Sequence, residues 1–218
     1  MLHVDSVIMS FESRQLLTDV FLECKRGEIV GLFGRNGTGK SCLLKIIFGS
    51  LAADTSFVKI DDTVLDSLFK SRRLIKYLPQ TNFLPNHVRI DLIINLFCRK
   101  NNMTFIKELD FIEPLLFKKV NQLSGGEKRL LEVFLVIFSE SEFALIDEPF
   151  NGVAPLMKEE IKHSIKRESK NKGFIITDHD YESILEISDR IIVIHDGGTK
   201  EIKSRDELVD LGYISGNS

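Results

Sequence analysis

The run Gly34-Arg35-Asn36-Gly37-Thr38-Gly39-Lys40-Ser41 constrains this chain more than any other feature. It is a full G-x-x-x-x-G-K-[ST] pattern set between an apolar stretch, EIVGLF from Glu28 to Phe33, and a segment of helical spacing, SCLLKIIFG. A glycine-rich turn between strand and helix wraps its backbone so that successive N–H groups point at a phosphate, and the helix adds the positive end of its dipole. Lys40 and Ser41 can then reach the terminal phosphates and Mg²⁺. A strand–loop–helix unit of this kind places the chain among α/β folds.

The rest of the chain supports that class. HVDSVIMSF (His3 to Phe11) and LLTDVFLEC (Leu16 to Cys24) alternate as strands do, and SFVKI and RLIKYL (Arg73 to Leu78) are two further strand candidates. Between about residues 82 and 121 the strand signals fade, and HVRIDLIINLFCRK and TFIKELDFIEPLLF read as short helices of an inserted lobe. After Leu123 a long helix (Glu127 to Phe138) precedes strand EFALI, helix LMKEEIKHSIKRES, strand GFIIT, helix YESILEIS and strand RIIVIHD. That alternation predicts a parallel sheet covered by helices on both faces. The 218 residues are enough for one core, so the reading is a single domain over 1–218 with 82–121 inserted in it and a frayed tail SGNS.

Composition excludes several functions. With 29 Lys+Arg against 32 Asp+Glu the formal charge is −3, which gives no general pull toward nucleic acid or anionic lipid and disfavours duplex binding as the main task. Cys24, Cys42 and Cys98 are odd in number and widely spaced, the pattern of reduced core thiols in a cytosolic protein. The N-terminus lacks a basic region followed by a long apolar stretch, and the best apolar run, Leu130 to Phe138, falls far below the roughly 18 residues of a membrane span. Work at a membrane would need another chain to cross it.

Two further motifs carry chemistry. Phe143-Ala144-Leu145-Ile146-Asp147-Glu148-Pro149 is an apolar strand ending in adjacent carboxylates, whose side chains diverge. Asp147 then serves the Mg²⁺ side and Glu148 polarises an attacking water as general base. Leu123-Ser124-Gly125-Gly126-Glu127 precedes the long helix. Ser124 and Glu127 form a capping box, and the bare Gly125 and Gly126 open a second helix N-terminus to an anion.

Together these motifs resemble the nucleotide-binding subunit of an ABC (ATP-binding cassette) transporter over essentially the whole chain. GRNGTGKS resembles Walker A, LSGGE the family signature, and FALIDEP the Walker B strand with its catalytic glutamate. Gln80 matches the Q-loop glutamine, His179 in ITDHD the switch histidine, and Phe11 the aromatic that stacks on adenine. The resemblance implies a P-loop NTPase core with a mixed or parallel sheet, an N-terminal antiparallel portion and a helical lobe. It implies ATP and Mg²⁺ as ligands, with the nucleotide cradled by Gly34 to Cys42, and with Ser41, Gln80 and Asp147 around the metal. Lys40, Glu148, His179 and Gln80 are the implied catalytic set. Ser124, Gly125 and Gly126 close the site of a second subunit, in a homo- or heterodimer, and an integral membrane permease is the further partner, with the protein peripheral on the inner face of the cell membrane. No nucleic acid is expected.

The chain departs from the family where S-G-L-D-P is usual: here it reads Asn151-Gly152-Val153-Ala154-Pro155, without the aspartate. The interval between Gln80 and Ser124 is short for the helical lobe. Two alternatives stay open on sequence alone: a soluble ABC-type ATPase of DNA repair or translation, and an ATP-binding regulatory subunit that does not turn over. The apolar set Phe83, Leu84, Val88, Ile90, Leu92, Ile93, Leu96 and Phe97 is read as mostly lobe core, with some members forming a groove for a partner's helix.

Overall fold

The structure, a computed structural model, describes residues 1–11, 14–98 and 100–214, with backbone alone for 69, 72, 100 and 101. The tail SGNS lies outside the described residues. Strands β1 (Leu2–Phe11) and β2 (Arg14–Cys24) pair antiparallel from Leu2↔Cys24 to Phe11↔Arg14. Next come β3 (Ile29–Phe33), α1 (Lys40–Phe48), β4 (Thr55–Ile60), β5 (Thr63–Val64), α2 (Leu68–Leu74) and β6 (Ile75–Leu78). The lobe holds α3 (Ile90–Phe97), α4 (Lys100–Lys107) and two single 3-10 turns, Glu113–Leu115 and Val120–Gln122. The chain continues as α5 (Gly125–Ile137), β7 (Phe143–Asp147), α6 (Pro155–Glu168), β8 (Gly173–Thr177), α7 (Tyr181–Ile187), β9 (Arg190–His195), β10 (Gly198–Ile202) and α8 (Arg205–Asp210).

Ten strands form one sheet in the order β5-β4-β1-β2-β10-β9-β3-β8-β7-β6. From β9 through β3, β8 and β7 to β6 every pairing is parallel, and β4, β1 and β2 pair antiparallel at the other end. The mixed sheet with its antiparallel N-terminal portion is therefore as expected. All five residues of β3 are buried, as are those of β7 and β8, because helices cover both faces. Alternation divides them between two cores: Ile29 and Phe33 join Ile146, Phe134 and the lobe, while Val30 and Leu32 join Leu145, Leu43 and the antiparallel strands. The phosphate loop leaves the carboxyl end of β3, between those two cores.

The structure departs from the sequence expectation most at the strand read as RLIKYL and beyond RIIVIHD. Arg73 and Leu74 belong to α2, and the strand begins only at Ile75. A helix of seven residues spans too few turns for its period to be read. Beyond RIIVIHD the chain adds β10, which turns back on β9, and α8. Among the described residues no helix is long and apolar enough to cross a membrane.

Candidate active site

At the carboxyl end of β3 the loop is shaped by its glycines. Gly37 (φ 77) and Gly39 (φ 100) take the left-handed conformation, and a Cβ on Gly34 would lie 2.5 Å from Thr38 Oγ1. Gly39 caps α1 with no side-chain hydrogen bond, so the amides of the first turn stay open to a ligand. Lys40 is only 8% exposed, and its Nζ donates to the carbonyls of its own loop, Gly34 at 2.6 Å and Arg35 at 3.2 Å. Burial lowers the Lys40 pKa, and the Asp147 and Glu148 carboxylates oppose that fall. Ser41 and Cys42 follow in the first turn of α1, both half-buried.

Five side chains predicted to act together meet beside this loop. The Gln80 Nε2 donates to Glu148 Oε1 at 2.7 Å and to Ser41 Oγ at 3.2 Å, with Asp147 Oδ1 at 3.5 Å. His179 Nε2 lies 3.0 Å from the same Glu148 Oε1. Oxygens from α1 and from the end of β7 thus converge on one point, a donor set of the hard, oxygen-rich kind that Mg²⁺ takes. Asp147 is 1% exposed; burial raises its pKa, and hydrogen bonds from Ser41, Tyr77 and Gln80 oppose the rise. Glu148 stands in the left-handed region with φ 54, its N–H donating to Thr177 O at 2.7 Å.

Several residues of the site carry no signal in the sequence. Arg129, buried on α5 one turn beyond the signature, donates to Pro79 O (2.6 Å), Asp147 O (2.6 Å) and Glu148 O (2.9 Å). Also on α5, the fully buried Glu132 accepts from the Phe83 and Leu84 N–H groups at 2.8 and 3.2 Å, and burial raises its pKa. Helix α5 therefore grips both sides of the segment that carries Gln80. Tyr77 donates to Asp147 Oδ2 at 3.2 Å, and Asn151 Nδ2 to Glu148 Oε2 at 3.2 Å. Buried Asp178 accepts from the Phe150 N–H at 2.9 Å and from the Asp180 N–H at 2.9 Å, which ties the turn bearing His179 to the chain after Glu148. A basic residue in a helix reads as solvent-facing; only a ring of carbonyls from other segments makes Arg129 an interior residue.

The remaining candidates stand apart from this cluster. Ser124, Gly125 and Gly126 are exposed at the start of α5, where Ser124 and Glu127 form the expected capping box, with Ser124 N–H to Glu127 Oε2 at 2.7 Å. A Cβ on Gly125 would meet nothing within 4 Å, and one on Gly126 only Gly152 O at 3.5 Å. Phe11 ends β1 and is 67% exposed, a free ring rather than a core residue. In the lobe Leu84, Ile90 and Ile93 are core, Phe83, Val88 and Phe97 are half-buried, and Leu92 and Leu96 are 53% and 82% exposed. Phe83 and Phe97 join Phe48, Tyr77 and Pro79 around an apolar pocket of about 290 Å³ beside Gln80.

Residues 17–151 match the family described as ABC transporter. A probable ABC transporter ATP-binding protein of Azorhizobium caulinodans is 32% identical over 86% of this chain and 72% of its own length. The lipopolysaccharide export system ATP-binding protein LptB of Escherichia coli strain K12 is 30% identical over 94% of this chain and 93% of its own. In fold, the chain superimposes on a solved ATP-binding subunit of an ABC transporter with a TM-score of 0.82, at 23% identity, over 99% of this chain and 95% of the other.

Proposed function

Given that the chain belongs to the ABC transporter family, as an ATP-binding and ATP-hydrolysing subunit of such a transporter, we propose how its residues divide the work. The observation that carries the reading is that Gln80 meets Ser41, Asp147 and Glu148, and that His179 meets the same Glu148 oxygen. The backbone from Gly34 to Cys42 cradles the phosphates, Phe11 stacks on adenine, and Lys40 neutralises the β- and γ-phosphates. Ser41, Gln80 and Asp147 would hold Mg²⁺, which would supply neutralisation of the charge that develops on the phosphates. Glu148 orients the attacking water and takes its proton, while His179 donates to the γ-phosphate. Gln80 and His179 both meet Glu148 Oε1, so the groups assigned to metal, base and γ-phosphate lie side by side.

Residues 1–218 act as one ATPase domain with 82–121 as an inserted helical subdomain. Ser124, Gly125 and Gly126 of a second subunit, of the same or a different chain, complete each site. The pocket beside Gln80, with Leu92 and Leu96 near it in sequence on α3, receives an integral membrane permease subunit that holds the protein at the inner face of the membrane. The named relatives are transporter subunits, which does not favour DNA repair or translation. Glu148 and His179 in contact argue against a subunit without turnover.

The test is Glu148→Gln. It should retain ATP binding while turnover falls by about two to four orders of magnitude. Near-normal hydrolysis would remove the base assignment.

A further inference from the structure

The His179 side chain is 48% exposed and meets Glu148 Oε1 at 3.0 Å, so its place depends on the backbone turn that carries it. Both neighbours of His179 are aspartates anchored to the chain that leaves Glu148. Asp178 takes the Phe150 N–H at 2.9 Å. Asp180 accepts from Lys158 Nζ at 2.6 Å, and its other carboxylate oxygen takes the Ser183 N–H at 3.2 Å and so caps α7. Lys158 stands in the first turn of α6, where its own N–H donates to Ala154 O at 3.1 Å. The segment from Glu148 to Lys158 therefore reaches the turn at two points, one on each side of the histidine.

A second ion pair joins the same two helices one turn further along α6, between Lys162 and Glu186. There the lysine side chain is only 10% exposed, whereas those of Lys158 and Asp180 are 28% and 29% exposed. An ion pair so open to water contributes little to stability. A small displacement of a reacting group, by contrast, slows a reaction steeply. Removing Lys158 should therefore be felt in turnover more than in stability. We propose that Lys158 is a positioning residue of the ATPase site: by holding Asp180 it fixes the turn that sets His179 against Glu148. This rests on the reading of His179 as a donor to the γ-phosphate.

The test is turnover in Lys158→Met, which keeps an unbranched side chain and removes its charge. Its kcat should fall about five- to tenfold with the KM for ATP within about twofold, and its Tm should stay within about 2 °C. Lys158→Arg, which can still pair with Asp180, should recover about half of the lost turnover or more. Asp180→Asn keeps an oxygen for the α7 cap and should lower kcat by a similar factor, and the double variant should fall no further than the slower single one. Lys162→Met breaks the other α6–α7 pair and should lower the Tm while kcat stays within about twofold. Unaltered kcat in Lys158→Met, a loss carried by KM instead, no recovery in Lys158→Arg, additive losses in the double variant, or an equal loss of kcat in Lys162→Met overturns the proposal. His179→Ala run alongside separates the two readings. Lost turnover there with none lost in Lys158→Met removes Lys158 alone, whereas near-normal turnover in His179→Ala removes the role of His179 itself.

Discussion

Glu148 sits at φ 54, a conformation that costs a non-glycine residue about 1–2 kcal/mol. Its N–H on Thr177, its carbonyl on Arg129 and its carboxylate on Gln80, His179 and Asn151 together hold it there. The strained backbone is what turns the side chain from the end of β7 toward the loop. Ala154 shows the opposite case, a residue with nothing to hold. It is the N-cap of α6 (φ −63, ψ 147), exposed, with Pro155 at the first helical position and no side-chain hydrogen bond to the open amides. Ala154→Asp restores the carboxylate usual in the family and supplies that cap. It should stabilise the nucleotide-free protein by about 1 kcal/mol, a rise in Tm of roughly 2–4 °C for a chain of this size. Thermal denaturation without nucleotide is the measurement, and an unchanged Tm would show that the cap does not form.

Among the elements, α5 connects most of the site. Its first turn presents Ser124 to Gly126 to solvent, its second places Arg129 on the carbonyls of Pro79, Asp147 and Glu148, and Glu132 takes the amides of Phe83 and Leu84. A displacement of the start of α5 is therefore felt at Gln80 and at Glu148. Arg129→Met leaves three carbonyls without their donor and Glu132 as an uncompensated buried charge, so it should lower stability by about 3–5 kcal/mol in denaturant unfolding. Adding Glu132→Gln should return part of that loss, because it removes the stranded charge. If the double variant is no more stable than the single one, the two residues are not a coupled pair. None of this is legible in LSGGEKRLLEVF, where Arg129 has the place of an ordinary helix cation.

At the scale of the whole molecule, the signature and the phosphate loop are separate surfaces of one chain, and on the proposed reading a second copy or partner closes the site. A Cβ on Gly126 would meet only a backbone oxygen at 3.5 Å, so a side chain there is tolerated within the subunit. Glu148→Gln protein should dimerise on sizing columns when given Mg-ATP, and Gly126→Val added to it should abolish the dimer while the fold is retained. Dimerisation indifferent to Gly126 would refute the shared site. Leu96 is 82% exposed on α3, outside both cores. Leu96→Glu should leave ATPase activity of the isolated subunit unchanged and weaken its association with permease-containing membranes. Equal recovery with those membranes would move the permease contact elsewhere.

The amino-acid sequence by itself determined the α/β class, the strand–loop–helix around Gly34 to Ser41, the acidic end of β7 and the capping box at Ser124, because each is a local pattern whose spacing and backbone demands are written in consecutive residues. Family resemblance extended this to Gln80, His179 and Phe11, single residues whose types alone say little. Only the tertiary structure decided that Gln80 and His179 both meet Glu148, that Arg129 is interior, that the Tyr181 hydroxyl donates to Gly34 O, and which leucines of the lobe remain outside. Those facts depend on segments from Gly34 to Tyr181 meeting at the carboxyl ends of parallel strands. A polar side chain's burial and partners are set there by backbone groups far away in the sequence, and no local period or propensity encodes them.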